Sequence, residues 1–189
     1  MTLDTPSLSD AEIRKLVARV DRPIVLVGMM GVGKSTVGRK LATLLQLDFC
    51  DADDAIEEAA QMSISEIFER FGEDYFRDGE RRVIARLLDS GPAVIATGGG
   101  AFAQEETRKL VLERGIAVWL DADANTIVDR VRRKDTRPLL KDGDPREIVS
   151  RLKAEREPLY AEAPIHVSSS SGPHGDTVIR IIAELDRWL

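Results

Sequence analysis

The sequence has few of the features that mark secreted, membrane-bound or nucleic-acid-binding proteins. It has one cysteine, Cys50, no apolar run long enough to span a membrane, and no basic and apolar regions of a secretion signal in its first residues, MTLDTPSLSD. These absences favour a reducing cytoplasm and predict no membrane partner. Positive charge is not in excess either, because the formal net charge is -6, and this argues against nucleic acid as a partner. Any phosphate binding is therefore expected to be local, made by a loop and a few arginines.

The length and patterning predict one α/β domain. The 189 residues, 43% of them hydrophobic, suffice for one compact domain and are few for two. Short β-rich runs alternate with longer helical patterns, which predicts a parallel sheet with helices on both faces. The predicted strands are 23–27, 47–51, 93–97, 116–120 and 164–168. Ser9 and Glu12 make a capping-box pattern before AEIRKLVARV, so residues 1–21 are expected to form a separate helical extension and 22–189 the domain itself.

The segment GMMGVGKS, residues 28–35, matches the phosphate-loop pattern G-x-x-x-x-G-K-[ST]. It lies between the apolar run PIVLV and the helical pattern TVGRKLATLLQL, which is the strand, loop and helix context that the pattern requires. Glycines let successive backbone N–H groups converge on phosphate oxygens, while Lys34 can reach the β- and γ-phosphates and the Ser35 hydroxyl can bind Mg²⁺. An ordinary strand-to-helix loop is the alternative. The residues predicted to contact ATP in this segment are Gly31, Val32, Gly33, Lys34, Ser35 and Thr36.

Carboxylates and glycines follow the second and third predicted strands, at the sheet edge where ligands bind in such folds. Asp51 and Asp53 would project to the same side if the strand continued through both. One could hold water on Mg²⁺ and the other could accept a proton from, or orient, a substrate hydroxyl. The alternative is that Asp53 or Asp54 caps the next helix. The triplet Gly98–Gly100 predicts a wall where a ligand approaches the backbone closely.

Charged residues also fall on the apolar faces of two predicted helices. Arg77 and Glu80 project into the apolar arc of the helix 73–89, three positions apart, so they can pair with each other. The guanidinium could hold a substrate carboxylate in two parallel hydrogen bonds, or the pair could be a structural ion pair at the edge of the core. Arg156 repeats the pattern just before Pro158, which is expected to end its helix. Two inward arginines indicate a small anionic substrate.

A basic stretch, RVRRKDTRPLLKDGD, is too polar to belong to the core. Loops of this type close over nucleotides, exclude water and supply an arginine to the transferring phosphoryl group. Arg137 is the predicted arginine, in a lid that spans about residues 131–145. An ordinary solvated charge run is the alternative.

Together these segments resemble the shikimate kinases, small phosphate-loop enzymes that move the ATP γ-phosphoryl group to the 3-hydroxyl of shikimate. The resemblance extends from about Pro23 to Val167. It is carried by GMMGVGKST, DADDAIE, GEDYFRDGE, TGGGA, DTRPLL and EREPLY. It implies an ATP-dependent kinase of small molecules with Mg²⁺ as cofactor, in a three-layer αβα fold like that of the nucleoside monophosphate kinases, with a five-stranded parallel sheet. A monomer is expected.

The resemblance also implies a role for each matched residue. Lys34, Asp53 and Arg137 would be catalytic, with Asp53 as the base, while Ser35 would bind Mg²⁺ and Asp51 would assist it through water. The residues implied to bind shikimate are Asp53, Arg77, Gly98, Gly99, Gly100 and Arg156, with Glu80 positioning Arg77. The adenine contacts implied are Arg130, stacking on the base, and Pro173, in the adenine loop.

Two other functions remain as alternatives. A related kinase, such as one for gluconate, also couples a phosphate loop to a polyhydroxy acid, although the DADD segment and the paired inward arginines favour shikimate. A nucleotide-binding regulatory protein could have kept the fold and lost catalysis. The intact set Lys34, Asp53, Arg77, Arg137 and Arg156 counts against that second alternative.

Overall fold

The protein is an α/β structure built on one parallel sheet. The computed structural model describes residues 9–132, 144–169 and 173–189. Its strands are Ile24–Val27 (β1), Asp48–Asp51 (β2), Ala93–Ala96 (β3), Ile116–Asp121 (β4) and Ile165–Ser168 (β5). They form a five-stranded sheet in the order β2-β3-β1-β4-β5, with every pairing parallel. The predicted fold class is confirmed, and each observed strand falls on a predicted one.

Helices pack on both faces of the sheet. Their bounds are Asp10–Val17 (α1), Lys34–Leu45 (α2), Ala52–Ala60 (α3), Ile64–Leu88 (α4), Glu105–Arg114 (α5), Ala124–Arg132 (α6), Pro145–Tyr160 (α7) and His174–Trp188 (α8). A short 3₁₀ helix covers Ala101–Ala103. Within the three described ranges, no helix combines the length and apolarity needed to cross a bilayer.

The central strand places the functional loops next to one another. All four residues of β1 are buried, and β1 pairs with β3 on one side and β4 on the other. Leu26 is opposite Ala96, and Ala96 is opposite Asp51 in turn. Because parallel strands end at the same edge, the loops after β1, β2 and β3 meet there.

The N-terminal helix is less separate from the domain than its sequence suggests. The capping box is present, since the Ser9 N–H donates to Glu12 Oε2 at 2.8 Å and the Glu12 N–H donates to Ser9 Oγ at 3.4 Å. Leu16 and Val20 are nevertheless buried in the main hydrophobic core, and α1 contacts α2. The apolar face of α1 therefore packs against the domain that follows it, through the buried Leu16 and the half-buried Ile13 and Val17.

Two helices differ in length from their predicted extents. The helix predicted over 73–89 is the second part of α4, which begins at Ile64 and breaks at Gly72, where φ is 81°. Helix α7 was expected to end at Pro158 but continues to Tyr160. A proline in the last turn removes only one backbone donor, and the buried Tyr160 side chain holds that turn against the core.

Candidate active site

The phosphate loop connects β1 to α2 in a conformation that glycine makes possible. Gly28, Gly31 and Gly33 all have positive φ values, of 134°, 79° and 100°. A Cβ on Gly28 would lie 2.2 Å from the Leu120 carbonyl oxygen, so the loop passes directly over the end of β4. Gly33 is the N-cap of α2, which places the positive end of that helix dipole at the loop.

Lys34 is buried beneath this loop. Its Nζ donates to the carbonyl oxygens of Gly28 at 2.7 Å and Met29 at 2.8 Å, and only 8% of the residue is exposed. The ammonium group therefore lies inside the curve of the loop, where its charge is poorly screened by water. An anion bound by the loop N–H groups would meet this charge at short range.

Ser35 and Asp51 form the oxygen pair expected for a magnesium site. The Ser35 hydroxyl donates to Asp51 Oδ2 at 2.6 Å. Both are hard oxygen donors, and Mg²⁺ typically takes one or two protein oxygens and completes its shell with water and phosphate. In the part of the chain that the structure describes, no group of three or more His, Cys, Asp or Glu side chains is placed to hold a metal ion. The residues present fit Mg²⁺ bound together with a nucleotide.

Asp51 and Asp53 do not lie on one strand, so the alternation that would have pointed both to the same side does not apply. Strand β2 ends at Asp51, and α3 begins at Ala52. Asp51 is the N-cap of α3, because its Oδ1 accepts from the Asp53 N–H at 3.1 Å. Asp53 thus belongs to the first turn of a helix. The first N–H groups of a helix have no acceptor within the helix. The Asp51 carboxylate accepts from one of them, the N–H of Asp53, and this favours the start of a helix here over a longer strand.

Both aspartates nevertheless line a cavity with the phosphate loop. This cavity, of about 450 Å³, is called here the nucleotide cavity. The predicted residues around it are Gly31, Gly33, Lys34, Ser35, Thr36, Asp51, Asp53, Gly98, Gly99 and Arg130. Val32, also predicted to contact ATP, is fully buried and is not among the residues that line this cavity; its carbonyl oxygen accepts from Arg130 Nη1 at 3.0 Å.

A second cavity, of about 560 Å³, adjoins the first and is called here the acceptor cavity. Its walls include the predicted acid-binding set Asp53, Arg77, Glu80, Gly98, Gly99, Gly100 and Arg156. Met30, Asp53, Gly98 and Gly99 line both cavities. The two cavities therefore share a wall, and a carboxylate stands in it.

The glycine triplet makes this wall thin. A Cβ on Gly98 would lie 2.9 Å from Asp53 Oδ1, one on Gly99 would lie 2.8 Å from the backbone nitrogen of Met30, and one on Gly100 would lie 2.7 Å from Arg77 Nη2. Each distance is too short for a side chain. A side chain at position 99 would meet the backbone of the phosphate loop, and one at position 98 or 100 would displace the Asp53 carboxylate or the Arg77 guanidinium.

Arg77 is held on the acceptor cavity by two carboxylates. Its Nη1 donates to Glu80 Oε2 at 2.7 Å, while Nε and Nη2 each donate to Glu73 Oε1 at 3.2 Å. Glu80 is 1% exposed, and burial raises the pKa of its carboxyl group although the Arg77 guanidinium opposes the rise. An arginine has five N–H donors, so these three bonds leave two for a ligand. The ion pair and the carboxylate-binding role are compatible.

Arg156 faces the same cavity from α7. Its Nη1 donates to the Gly99 carbonyl oxygen at 3.1 Å. Tyr160, one turn later, donates its hydroxyl to the same oxygen. The sequence reasoning missed Tyr160, although the i, i+4 spacing from Arg156 in EREPLY was a signal that both side chains share a face of the helix. Tyr160 is 1% exposed and stacks on Phe102 and Trp119.

Of the two residues predicted to contact adenine, Arg130 lines the nucleotide cavity and Pro173 does not. Arg130 lines the nucleotide cavity and donates from Nη1 to the Val32 carbonyl oxygen at 3.0 Å. Pro173 is exposed at the N-cap of α8 and is not among the cavity residues, whereas the next residue, His174, is. Sequence reasoning did not single out His174. Arg137 and most of the predicted lid, residues 133–143, lie outside the described residues.

Comparisons with known proteins match the chain to one family. A family model described as shikimate kinase matches residues 30–186. The shikimate kinase of Novosphingobium aromaticivorans is 60% identical over 193 residues, which cover 100% of both chains. The solved structure of shikimate kinase from Acinetobacter baumannii in complex with shikimate has a TM-score of 0.82 at 39% identity, covering 85% of this chain and 90% of that one. A gluconokinase from Sinorhizobium meliloti has a TM-score of 0.63 at 18% identity, covering 90% and 94%, and shows a likeness of fold alone.

Proposed function

The chain belongs to the shikimate kinase family, and from this we propose that it transfers the γ-phosphoryl group of ATP to the 3-hydroxyl of shikimate at the two joined cavities. The observation that carries the assignment of the site is the shared wall. Met30, Asp53, Gly98 and Gly99 border both cavities, so a phosphate chain on one side and a small acid on the other would meet at Asp53. In-line transfer requires this adjacency.

On the nucleotide side, we assign phosphate binding to the loop amides and Lys34. The amides supply donors that are already oriented, and the Lys34 ammonium supplies a charge that compensates the γ-phosphoryl oxygens as they take on charge. We assign Mg²⁺ to Ser35, with Asp51 acting through water. When bound, Mg²⁺ would neutralise phosphate charge. The support is the 2.6 Å contact between these two side chains beside the loop.

On the acceptor side, we assign the substrate carboxylate to Arg77 and Arg156. Arg77 is oriented by Glu80 and Glu73, and Arg156 by the Gly99 carbonyl. Two planar guanidinium groups can fix both the position and the tilt of a carboxylate. The ring hydroxyl that attacks would then lie at Asp53, which accepts its proton. We also assign Arg137 to the transferring phosphoryl group and Arg130 and Pro173 to adenine, on the resemblance alone.

We further propose that the protein acts as a monomer in the cytoplasm. The support for a monomer is that the residues assigned to both substrates in the described structure come from one chain. The support for the location is that the chain has a single cysteine and so forms no internal disulfide, as is usual for proteins of a reducing compartment.

The deciding experiment is ADP release from Mg²⁺-ATP, measured by a coupled assay with shikimate, with gluconate and with neither. We expect release that depends strictly on shikimate. Release with gluconate instead would make this a different small-molecule kinase. Saturable shikimate binding with no ADP release would indicate a regulatory protein that retained the fold.

The substitution Arg77→Lys should weaken shikimate binding and leave ATP binding unchanged. Lysine keeps the positive charge but cannot donate to Glu80, Glu73 and a ligand from one rigid plane. We expect the KM for shikimate to rise about tenfold or more, equivalent to about 1.4 kcal/mol. Arg81→Lys is the matched control, since Arg81 lies one turn further along α4 in ion pairs with Asp78 and Glu106. Equal losses of affinity for both substrates would indicate a folding defect.

The substitution Tyr160→Phe should raise the KM for shikimate several-fold, because the Tyr160 hydroxyl helps to hold the Gly99 carbonyl to which Arg156 also donates. Phenylalanine keeps the stacking on Phe102 and Trp119 but removes one of the two donors to the Gly99 oxygen, a loss of about 1 kcal/mol. Tyr75→Phe is the control because Tyr75 is the only other tyrosine and is 52% exposed. Steady-state kinetics with each substrate varied will test this. A fall in thermal stability with an unchanged KM would show that the hydroxyl has a structural role only.

A further inference from the structure

Among the described residues that line the nucleotide cavity, His174 carries a titratable side chain to which neither the sequence motifs nor the proposed function gives a role. It is the first residue of α8, and its ring lies against the phosphate loop. A Cβ on Gly33 would lie 3.2 Å from His174 Cε1, 3.6 Å from His174 Nδ1 and 3.8 Å from Arg130 Nη1. The imidazole and the guanidinium therefore flank the same point of the loop.

The imidazole is in an environment that disfavours its charged form. Nδ1 is buried, and among the described residues it has no hydrogen-bond partner. Burial lowers the pKa of His174, and the positive charges of Arg130 on α6 and Lys40 on α2 lower it further. The N-terminal end of the α8 dipole acts in the same direction, while Asp176 is the acidic residue of that first turn. Without a ligand, the ring is neutral near pH 7.

A bound phosphate chain would reverse this balance. Its negative charges would compensate Arg130 and Lys40, and its oxygens are strong acceptors for an N–H of a charged imidazole. We propose that His174 takes up one proton from solvent when the phosphate chain of the nucleotide binds, and returns it on release, so that nucleotide affinity depends on pH. This inference rests on the proposed nucleotide cavity and adds to it a residue that senses the phosphate charge.

The sign of the effect follows from the two pKa values. A histidine whose pKa is higher in the bound state than in the free state contributes affinity that is fully present below the free pKa. The contribution is lost as the pH rises through the bound pKa. Nucleotide should therefore bind more tightly at about pH 6 than at about pH 8, within the range where histidine titrates.

The chain offers a direct measurement because it contains only two histidines, His166 and His174. Two imidazole signals are expected in a proton–carbon NMR spectrum of the unmodified protein, and H166Q assigns them. His166 stacks on Trp119 at a ring-centroid distance of 3.9 Å and does not line the nucleotide cavity, so it serves as the internal control. Each signal is titrated with pH in the free protein, with Mg²⁺-free ADP and with inorganic pyrophosphate.

We expect ADP and pyrophosphate each to raise the pKa of His174 by about one unit. The position of the His166 signal should not respond to either ligand. An unchanged or lowered pKa of His174 in the ADP complex would overturn the inference. A rise with ADP but none with saturating pyrophosphate would also overturn it, because the nucleoside and not the phosphate chain would then be the cause.

A second measurement compares ADP dissociation constants at about pH 6 and about pH 8 in the unmodified protein, H174Q and H166Q. The terminal phosphate of ADP also gains a proton near pH 6, but this effect is common to all three proteins. For each protein, the affinity at about pH 6 is divided by the affinity at about pH 8. We expect this quotient to be several-fold, and at most about tenfold, larger in the unmodified protein and in H166Q than in H174Q. The same ratio in all three would contradict the inference. If ADP changes neither signal, the nucleotide does not bind at the proposed cavity, and both the proposed site and the inference about His174 are wrong.

Discussion

Replacing Lys34 by alanine is expected to lower kcat by roughly a hundredfold to a thousandfold, a rise in the barrier of about 3 kcal/mol or more. We expect a loss of this size because the Lys34 ammonium group is buried beneath the phosphate loop. A preorganised charge in a site with little water stabilises the transition state more than the bound substrate, because charge on the transferring group increases during the reaction. The KM for shikimate should change little.

Two controls separate chemistry from folding in this experiment. Lys34 also donates to the Gly28 and Met29 carbonyl oxygens, so its removal can loosen the loop. ADP affinity and the melting temperature measure that loosening, and both should fall by less than kcat does. Lys40→Ala removes an exposed lysine from the same helix and should retain most of the activity. A Lys34→Ala enzyme with near-normal turnover would contradict the role assigned to this residue.

Replacing Asp53 by asparagine is expected to lower kcat by about a hundredfold to ten-thousandfold, the range for loss of a general base. Asparagine has nearly the same shape, so the wall beside Gly98 stays closed, but the amide has a much weaker acceptor for the proton of the substrate hydroxyl. The change also removes a negative charge that helps to raise the pKa of Glu80. Arg77 should therefore stay paired with Glu80, and the KM for shikimate should rise far less than kcat falls.

The neighbouring Asp54 provides a matched control. It occupies the same first turn of α3, so both substitutions remove a similar favourable interaction with the helix dipole. Asp54 also borders the acceptor cavity, but its side chain is 74% exposed and its Oδ2 is 3.8 Å from Arg39 Nη2. Asp54→Asn should keep kcat within a few-fold of the unmodified enzyme, as exposed ion pairs contribute about 1 kcal/mol or less. Equal losses from both substitutions would show that Asp53 supports the helix and not the transfer.

The sequence predicted best those features that depend on neighbours along the chain. The phosphate loop is specified by glycine spacing and by the strand and helix around it, and Lys34 and Ser35 lie where the pattern placed them. The pairing of Arg77 with Glu80 follows from helical spacing, and the structure contains that bond. In both cases the geometry needed no information about tertiary packing.

Features that join distant segments were harder to predict. The hydrogen bond from Tyr160 to Gly99 spans 61 residues and depends on how α7 packs against the sheet edge. His174 lies on the nucleotide cavity and Pro173 does not, because α8 begins one residue after the proline, and a helix boundary is not fixed to one residue by its sequence. The capping role of Asp51 was missed for a similar reason, since an aspartate can end a strand or begin a helix.

The wall that the cavities share has a consequence for inhibition. At Gly98 and Gly99 the shared wall carries no side chain, and the Asp53 carboxylate borders both cavities beside these glycines. A single compound that joins a carboxylated ring to a short phosphate mimic could occupy both cavities by following the path of the transferred phosphoryl group past Asp53. It would gain contacts on both sides while losing translational and rotational freedom once. Such a compound would be rejected by a kinase in which bulky residues fill the same position, so the thinness of this partition offers a route to selectivity.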